Sequence, residues 1–501
     1  MMNPAPTLDV AWLLADPGSG PARANVRITL DGPRIAAVVA LPQAPAGLRR
    51  LALPALTNAH DHARTFRSAT LGAFDQPLES WLPYLGVLPG ADPYLCAATS
   101  FARSARHGVA QLMVHYTRVQ GGRPYVEEAQ AVARAARDVG LRIGFAVSLR
   151  DRNGIGLCDD ATLLAALRPG IREAVARRLA LRPVAVVQQI AMVEEVAQML
   201  AQDASLLEHV TLQYGPTGVQ WCSTPLLEAV ARASHDSGRP VHMHLLETRY
   251  QREWADRAHP QGIVQHLDRI GLLTPRLTLA HCAWARPEEL TLLAERGVMI
   301  AVNTSSNLGL KSGMAPLAEM LRQGCRVAMG LDGMAFDEDD DALREMRLAY
   351  ALHRGWGFDV DMTRARLWEF AAKNGRRSVS GEAEGAGAGG RIAPGALADI
   401  LLLNWDALDN DPLFPDVDPL DLLLARGNGA HIDEVIVAGR SVVRGGHLAT
   451  LDEPALCAEL LAQVRSGLAA QPKFAGWRNT LGELAQDLGP FYQRGAWSQC
   501  C

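Results

Sequence analysis

The chain has 501 residues, 48% of them hydrophobic and 21% charged, with a formal net charge of −5 at pH 7. That length holds a barrel of about 250 residues or more plus a satellite, and the composition is that of a protein with a large buried core. The mildly acidic balance gives no electrostatic reason to expect nucleic acid, and no run approaches the roughly 18 apolar residues of a membrane span. The eight cysteines, at 96, 158, 222, 282, 325, 457, 500 and 501, form no CxxC pair. They read as reduced thiols of a cytoplasmic protein. The opening MMNPAPTLDVAWLLADPG has no basic segment ahead of its short apolar stretch, so no signal peptide is expected.

In chain order, residues 1–50 read as short strands: VRITL, a turn at Asp31-Gly32-Pro33, then RIAAVVAL. Apolar strand-like segments near 51–58, 108–116, 141–149, 208–214, 239–245, 276–281, 298–303 and 325–331 then alternate with helical stretches. That alternation predicts βα units and an α/β fold with a parallel sheet, with a closed eight-stranded barrel ahead of an open doubly wound sheet. The acidic run DEDDD at 337–341 is placed to open a helix, where negative charge suits the dipole. Gly385, Gly387 and Gly390 have GxGxxG spacing. With no strand before them and no clear helix after, they read as a linker. Strand texture returns in ADILLLNW, IDEVIVAG and RSVVRGG, so both ends of the chain are expected to build one small β domain. Residues 451–501 read as helices on the outside.

Metal-friendly side chains stand at the ends of four of the apolar segments: His60-Asp61-His62, His244-Leu245-Leu246-Glu247, His281-Cys282 and Asp332-Gly333. A parallel barrel presents its catalytic groups at the C-terminal ends of its strands. Residues i and i+2 of an extended chain share a face, so His60 and His62 can reach one ion; the alternative is two histidines flanking a turn. His242 and His244 also share a face, and spacing alone leaves open which is the ligand. A buried Asp is costly unless paired or bound to a cation, which favours Asp332. His281 suits proton transfer near neutral pH. Three imidazoles and one carboxylate suit one divalent ion such as zinc, with a position left for water.

The ordered series HxH, HxxE, HC, SSN and DG, with NTSSNLGLKSGMAPLAEML (303–321) and PGALADILLL (394–403), resembles the amidohydrolase superfamily. The similar branch is that of cytosine, guanine and S-adenosylhomocysteine deaminases and triazine hydrolases. The resemblance runs from about 50 to 445. It implies a (β/α)8 TIM-like barrel at 53–384, a small β-sandwich from 1–52 and 385–450, and a C-terminal helical extension at 451–501. It assigns His60, His62, His244 and Asp332 to the metal, choosing His244 over His242, and gives proton handling to Glu247, His281 and Asp332. Some relatives bridge two metals with a carbamylated lysine at the end of strand 4. The three lysines here, at 311, 373 and 473, all lie beyond that strand. One divalent ion is therefore expected, zinc first and iron(II) second.

The reaction implied is metal-dependent hydrolysis at an amidine-like carbon of a small nitrogen heterocycle, with release of ammonia. The alternative keeps the site and changes the bond, to another C–N, a C–Cl or a C–S bond. For the substrate, Trp81 matches a Trp of several relatives and is placed to stack on the ring, or is a core aromatic. Arg64 is placed to clamp a carboxylate, although at least one of Arg64 and Arg67 is expected at the surface. Asn303, Ser305 and Asn307 line the pocket or cap the next helix. Gln213 offers an amide to the ring edge. Where many relatives carry a His two residues after the Gly of this segment, the chain has Thr217, so adenosine-type recognition lacks that group. The partners expected are a small-molecule substrate and further copies of the chain, a dimer or larger.

Overall fold

A computed structural model describes residues 6–334, 336–381 and 388–495. The first strands are β1 (Thr7–Leu13), β2 (Arg23–Asp31), β3 (Arg34–Ala40) and β4 (Arg50–Pro54). Then come β5 (Leu56–Asn58), β6 (Val109–Tyr116), β7 (Arg142–Leu149), β8 (Val210–Pro216), β9 (Val241–Leu245), β10 (Leu277–His281), β11 (Met299–Val302) and β12 (Arg326–Met329). The last are β13 (Ile400–Asn404), β14 (Ile432–Val437), β15 (Arg440–Arg444) and β16 (His447–Leu448).

Strands β5 to β12 lie side by side in chain order, every neighbouring pair parallel. Ala59 N donates to Met329 O at 2.7 Å and brings the last strand back to the first. This is a (β/α)8 barrel. Its strands are apolar throughout because both faces are covered, as β6 shows with all eight residues buried. Side-chain caps start many of the surrounding helices: Asp92 for Pro93–Arg106, Ser223 for Thr224–Ser237 and Thr248 for Arg249–Ala258. Asp341, from the acidic run, caps Ala342–His353.

The second sheet has the order β16-β15-β14-β13-β4-β1-β2-β3 and joins both ends of the chain. Its own apolar core contains Val10, Val26, Ile28, Ala398, Ile400 and Ile436. The apolar run 51–58, expected as one strand, is divided between the two sheets. Leu51 to Pro54 pair with β13, whereas Leu56 N donates to Gly108 O at 3.0 Å and enters the barrel. Uninterrupted hydrophobicity cannot signal that switch, since both halves are equally buried.

Between β7 and β8 an insertion carries helices Asp160–Ala166, Pro169–Leu179 and Val186–Ala201. The final helix, Lys473–Gln493, packs on it. Arg168 Nε meets Asp487 Oδ1 at 2.7 Å, and the Tyr492 hydroxyl accepts from Leu157 N at 3.4 Å. The other C-terminal helix, Glu453–Ala470, lies against Pro93–Arg106 through Leu460, Val464, Leu95 and Cys96. Gly385 and Gly387 lie outside the described residues, and the next element after Gly390 is β13, a strand. Cys500 and Cys501 also lie outside them; the six described cysteines are free thiols. Among the described residues no helix is long and apolar enough to cross a membrane.

Candidate active site

The turn after β5 is pinned from below. Asn58 Oδ1 accepts from Leu331 N at 2.9 Å, and its amide donates to Asp61 Oδ2 at 2.8 Å. Asp61 in turn accepts from the backbone N–H of His62, Ala63 and Gly333 at 2.7, 2.9 and 3.0 Å. One carboxylate thus ties the HxH turn to the Asp332 loop; burial and the neighbouring Asp340 push its pKa up to about 6. His281 and Asp332 both sit in left-handed backbone, at φ 75° and 57°. Such strain costs about 1–3 kcal/mol per residue and is tolerated where it aims a functional group.

Four donors converge above this turn. His62 Nε2 lies 3.1 Å and His60 Nε2 3.5 Å from Asp332 Oδ1, and His244 Nε2 lies 3.3 Å from His62 Nε2. His62 Nδ1 donates to His115 O and His244 Nδ1 to Thr217 O, each at 2.7 Å. With those protons on Nδ1, the two Nε2 lone pairs face each other bare, an arrangement that repels unless a cation lies between them. Both His60 Nε2 and Asp332 Oδ1 are buried without a hydrogen-bond partner. Burial, then mutual repulsion, holds the His60 and His244 imidazoles well below their usual pKa, while Arg64 and His62 overcome burial and keep Asp332 ionised. Neutral imidazoles and a charged carboxylate are the protonation states of metal ligands, so this set fits one divalent ion.

His242, which spacing could not separate from His244, turns beneath the quartet, its Nε2 2.7 Å from His60 Nδ1. It orients the His60 ring. His115 stacks on His244 at 4.9 Å between centroids. Neither role is visible in a single strand pattern, because each depends on a neighbouring strand. Spacing assigns no separate role to Ser306, the middle residue of SSN, yet its hydroxyl donates to Asp332 Oδ2 at 2.6 Å.

Beside the quartet, Glu247 Oε2 lies 3.7 Å from His281 Nε2. Burial raises the Glu247 pKa, against the pull of His281. Ser312 Oγ donates to its other oxygen at 3.4 Å. His281 Nδ1 meets Asn307 Oδ1 at 2.8 Å, with Asn303 Nδ2 at 3.1 Å from the same atom. The shorter contact makes Nδ1 the donor and leaves Nε2 to accept a proton.

His62, His244, Glu247, His281 and Asp332 form the floor of a cavity of about 310 Å³ whose walls include Leu78, Leu82, Leu85, Ile155 and Trp221. Arg64 lines it, paired with Asp332 at 3.2 Å and stacked over Trp81 at 4.6 Å. Arg67 is exposed and donates to Glu338 O. Trp81 itself is 1% exposed, donates to Ser68 Oγ and does not line the cavity; it is a core aromatic under Arg64. Gln213 does not line the cavity; its amide nitrogen donates to Ser378 O and Val379 O at 2.9 and 3.0 Å. Asn303 and Ser305 lie behind the floor. Ser305 Oγ donates to Met334 O at 3.0 Å, and its N–H donates to Glu345 at the same distance.

Residues 51–442 match the amidohydrolase family. The chain belongs to that family. It is 30% identical over 415 residues to a 5′-deoxyadenosine deaminase of Methanothermobacter thermautotrophicus, covering 81% of this chain and 85% of that one. A 5-methylthioadenosine/S-adenosylhomocysteine deaminase of Moorella thermoacetica is 28% identical over 466 residues, covering 90% and 97%. Among solved structures, a zinc-bound adenosine deaminase from Xanthomonas campestris superposes with a TM-score of 0.71 at 22% identity, covering 93% of this chain and all of that one. The atrazine chlorohydrolase of Arthrobacter aurescens with zinc gives the same score and identity over 91% and 98%.

This amidohydrolase is thus a hydrolase of carbon–nitrogen bonds. None of its three lysines reaches the quartet: Lys311 pairs with Asp75, Lys373 with Asp16, and Lys473 lies over Phe474. A lysine-bridged pair of ions has no bridging residue here.

Proposed function

We propose that this amidohydrolase is a mononuclear metal-dependent deaminase of a small nitrogen heterocycle, releasing ammonia from an amidine-like carbon. The observation that carries this reading is the placement of Glu247 and His281 side by side at the edge of the four-donor cluster, on the floor of one cavity. His60, His62, His244 and Asp332 would hold the ion, zinc before iron(II), since zinc accompanies the structural relatives and suits imidazole and carboxylate together. Bound there, it would supply a Lewis acid that makes water nucleophilic near neutral pH.

The chain's own groups handle the protons. Asp332 and His281 Nε2 stand where the attacking water must lose its proton. Glu247, whose pKa is raised by burial, donates to the ring nitrogen beside the reacting carbon. That carbon becomes tetrahedral, and the water oxygen is then bonded to it. Proton transfer to the exocyclic nitrogen lets the C–N bond break with its electron pair leaving on ammonia. A carboxyl with raised pKa suits this exchange because it is strong enough to donate and, once ionised, basic enough to recover the proton.

The names of the sequence relatives support a purine nucleoside as the first substrate to assay; pyrimidines, pterins and triazines complete the panel. Ammonia release should appear with at least one heterocycle, stop on chelation and return with zinc. Absence of metal-dependent release across the panel would overturn the reading.

A further inference from the structure

The helix Asn374–Ser380 runs beneath the barrel, at the N-terminal ends of its strands. Asn374 Nδ2 donates to Val327 O at 2.8 Å at the foot of β12, and Gln213 of β8 reaches the carbonyls of Ser378 and Val379. Between this helix and the feet of β8 to β11 lies a second cavity, of about 450 Å³. Among the described residues it shares none of its lining with the catalytic one. A barrel carries its catalytic groups at the opposite end of the strands, so this cavity takes no part in the chemistry above.

The lining is basic. Arg239, Arg276 and Arg377 come from three separate segments, and among the described lining residues there is no carboxylate. The helices Thr224–Ser237 and Asn374–Ser380 both end here, and helix C-termini favour nearby cations. That accounts for the sign of the charge, but not for how the guanidinium nitrogens are used. Arg239 uses only Nη1, on Glu194 Oε1 at 2.5 Å and the Tyr214 hydroxyl at 3.3 Å. Arg276 is held by Nε on Ser234 Oγ at 3.4 Å. Among the described residues neither of its Nη atoms has a hydrogen-bond partner, and no carboxylate comes within ion-pair distance. The inner wall adds a hydroxyl pair: Thr278 Oγ1 and Ser378 Oγ lie 2.9 Å apart and are more than nine-tenths buried. One hydroxyl donates to the other, and the second proton has no acceptor among the described residues. The rest of the wall is apolar, with Leu212, Pro240, Pro275 and Met299. The volume is that of a small-molecule site, more than a lone oxyanion fills.

We propose that this basal cavity is a second ligand site, separate from the catalytic one, and that it takes a small organic phosphate. The free fork of Arg276, the remaining nitrogens of Arg239 and the Thr278–Ser378 hydroxyls hold the phosphate, and the apolar wall covers the body of the molecule. Guanidinium forks match phosphate oxygens two at a time. The site does not depend on the deaminase reading and stands whichever heterocycle the catalytic cavity accepts.

Two experiments on the full-length, metal-loaded protein decide it. Calorimetric titration at low ionic strength compares inorganic phosphate, ribose 5-phosphate, uridine 5′-monophosphate and uncharged ribose. At least one of the two esters should bind at one site per chain, more tightly than inorganic phosphate, and ribose should not bind. R276Q should weaken that ester by about tenfold or more, the loss of one charge-assisted hydrogen bond. R276K, which keeps the charge and loses the fork, should fall between. Absence of binding by both esters, no preference for an ester over inorganic phosphate, or native affinity in R276Q overturns the proposal. The second experiment needs no variant and so does not depend on how a substitution folds. Phenylglyoxal labels accessible arginines of the native protein, and peptide masses report which ones. The bound ester should protect Arg276 from the label. Full labelling of Arg276 while the ester is bound would put the ligand elsewhere and overturn the site. Neither experiment requires turnover, so a failure to release ammonia from any heterocycle would count against the deaminase reading alone.

Discussion

The Ser306 hydroxyl donates to Asp332 Oδ2 at 2.6 Å, while Asp332 Oδ1 faces His62 Nε2 at 3.1 Å. The two oxygens of one carboxylate are thereby separated: one is fixed to the next loop and the other is presented to the imidazoles. Removing the hydroxyl frees the carboxylate to rotate. S306A is therefore expected to lose about 10–100-fold in metal affinity, the usual cost of a lost partner behind a metal ligand. Competition with a chelator measures it. Unchanged affinity would mean that the loop backbone alone positions Asp332.

Glu247 owes its raised pKa first to burial, and Ser312 opposes that shift by donating to it. A donor in the reaction must be protonated, so kcat should fall as pH rises through the Glu247 pKa. S312A removes a group that stabilises the carboxylate and should move that alkaline limb to higher pH. E247Q keeps the shape without the proton and should lower kcat by about 10²–10⁴-fold with metal content unchanged. A pH profile of kcat for the three proteins, with metal analysis, checks both statements.

Glu79 is buried, accepts from Thr248 Oγ1 at 2.6 Å, and has its pKa pushed up to about 7, chiefly by burial. Between its ordinary value of 4.5 and about 7, the folded chain keeps a proton that the unfolded chain releases. Stability should therefore fall as pH rises through this window, by roughly 3 kcal/mol from this group, and level off above it. Glu345, also raised to about 7 by burial, acts in the same direction. E79Q stays neutral at every pH and should flatten the decline. Denaturant melts at pH 5 and pH 7.5 compare the two proteins; equal slopes would show that Glu79 is ionised in the fold.

Bare nitrogens facing each other at 3.3 Å, in His62 and His244, make the quartet costly without a cation. Chelation should lower the melting temperature, and a divalent ion at a thousand times its dissociation constant should restore about 4 kcal/mol by mass action. H244N removes one of the facing rings and should shrink that metal-dependent gain. A thermal melt with and without added zinc would register no difference if these side chains bind nothing.

The chain order of the chemistry was legible without coordinates. His60, His62, His244, His281 and Asp332 each end an apolar run, and a barrel brings the ends of such runs to one rim whatever its loops do. The eight barrel strands followed from the same alternation of apolar segments and helices. Neighbourhood across the barrel was not legible. That Gln213 donates to carbonyls of Ser378 and Val379, that Trp81 lies under Arg64, and that His242 supports His60 depend on which strands and helices lie next to each other and on which way each side chain points.

Arg118 and Arg178 show the division most clearly. Sixty residues apart and in unrelated segments, they carry no spacing that a pattern can detect. They line one cavity because the insertion after β7 folds back over the mouth and the helix Lys473–Gln493 packs behind it. Periodicity in a chain reports which faces are buried, and so it determined the barrel and the residues at its rim. Only packing between distant segments determines what those residues meet, and here that decided the lining and the charge of the pocket.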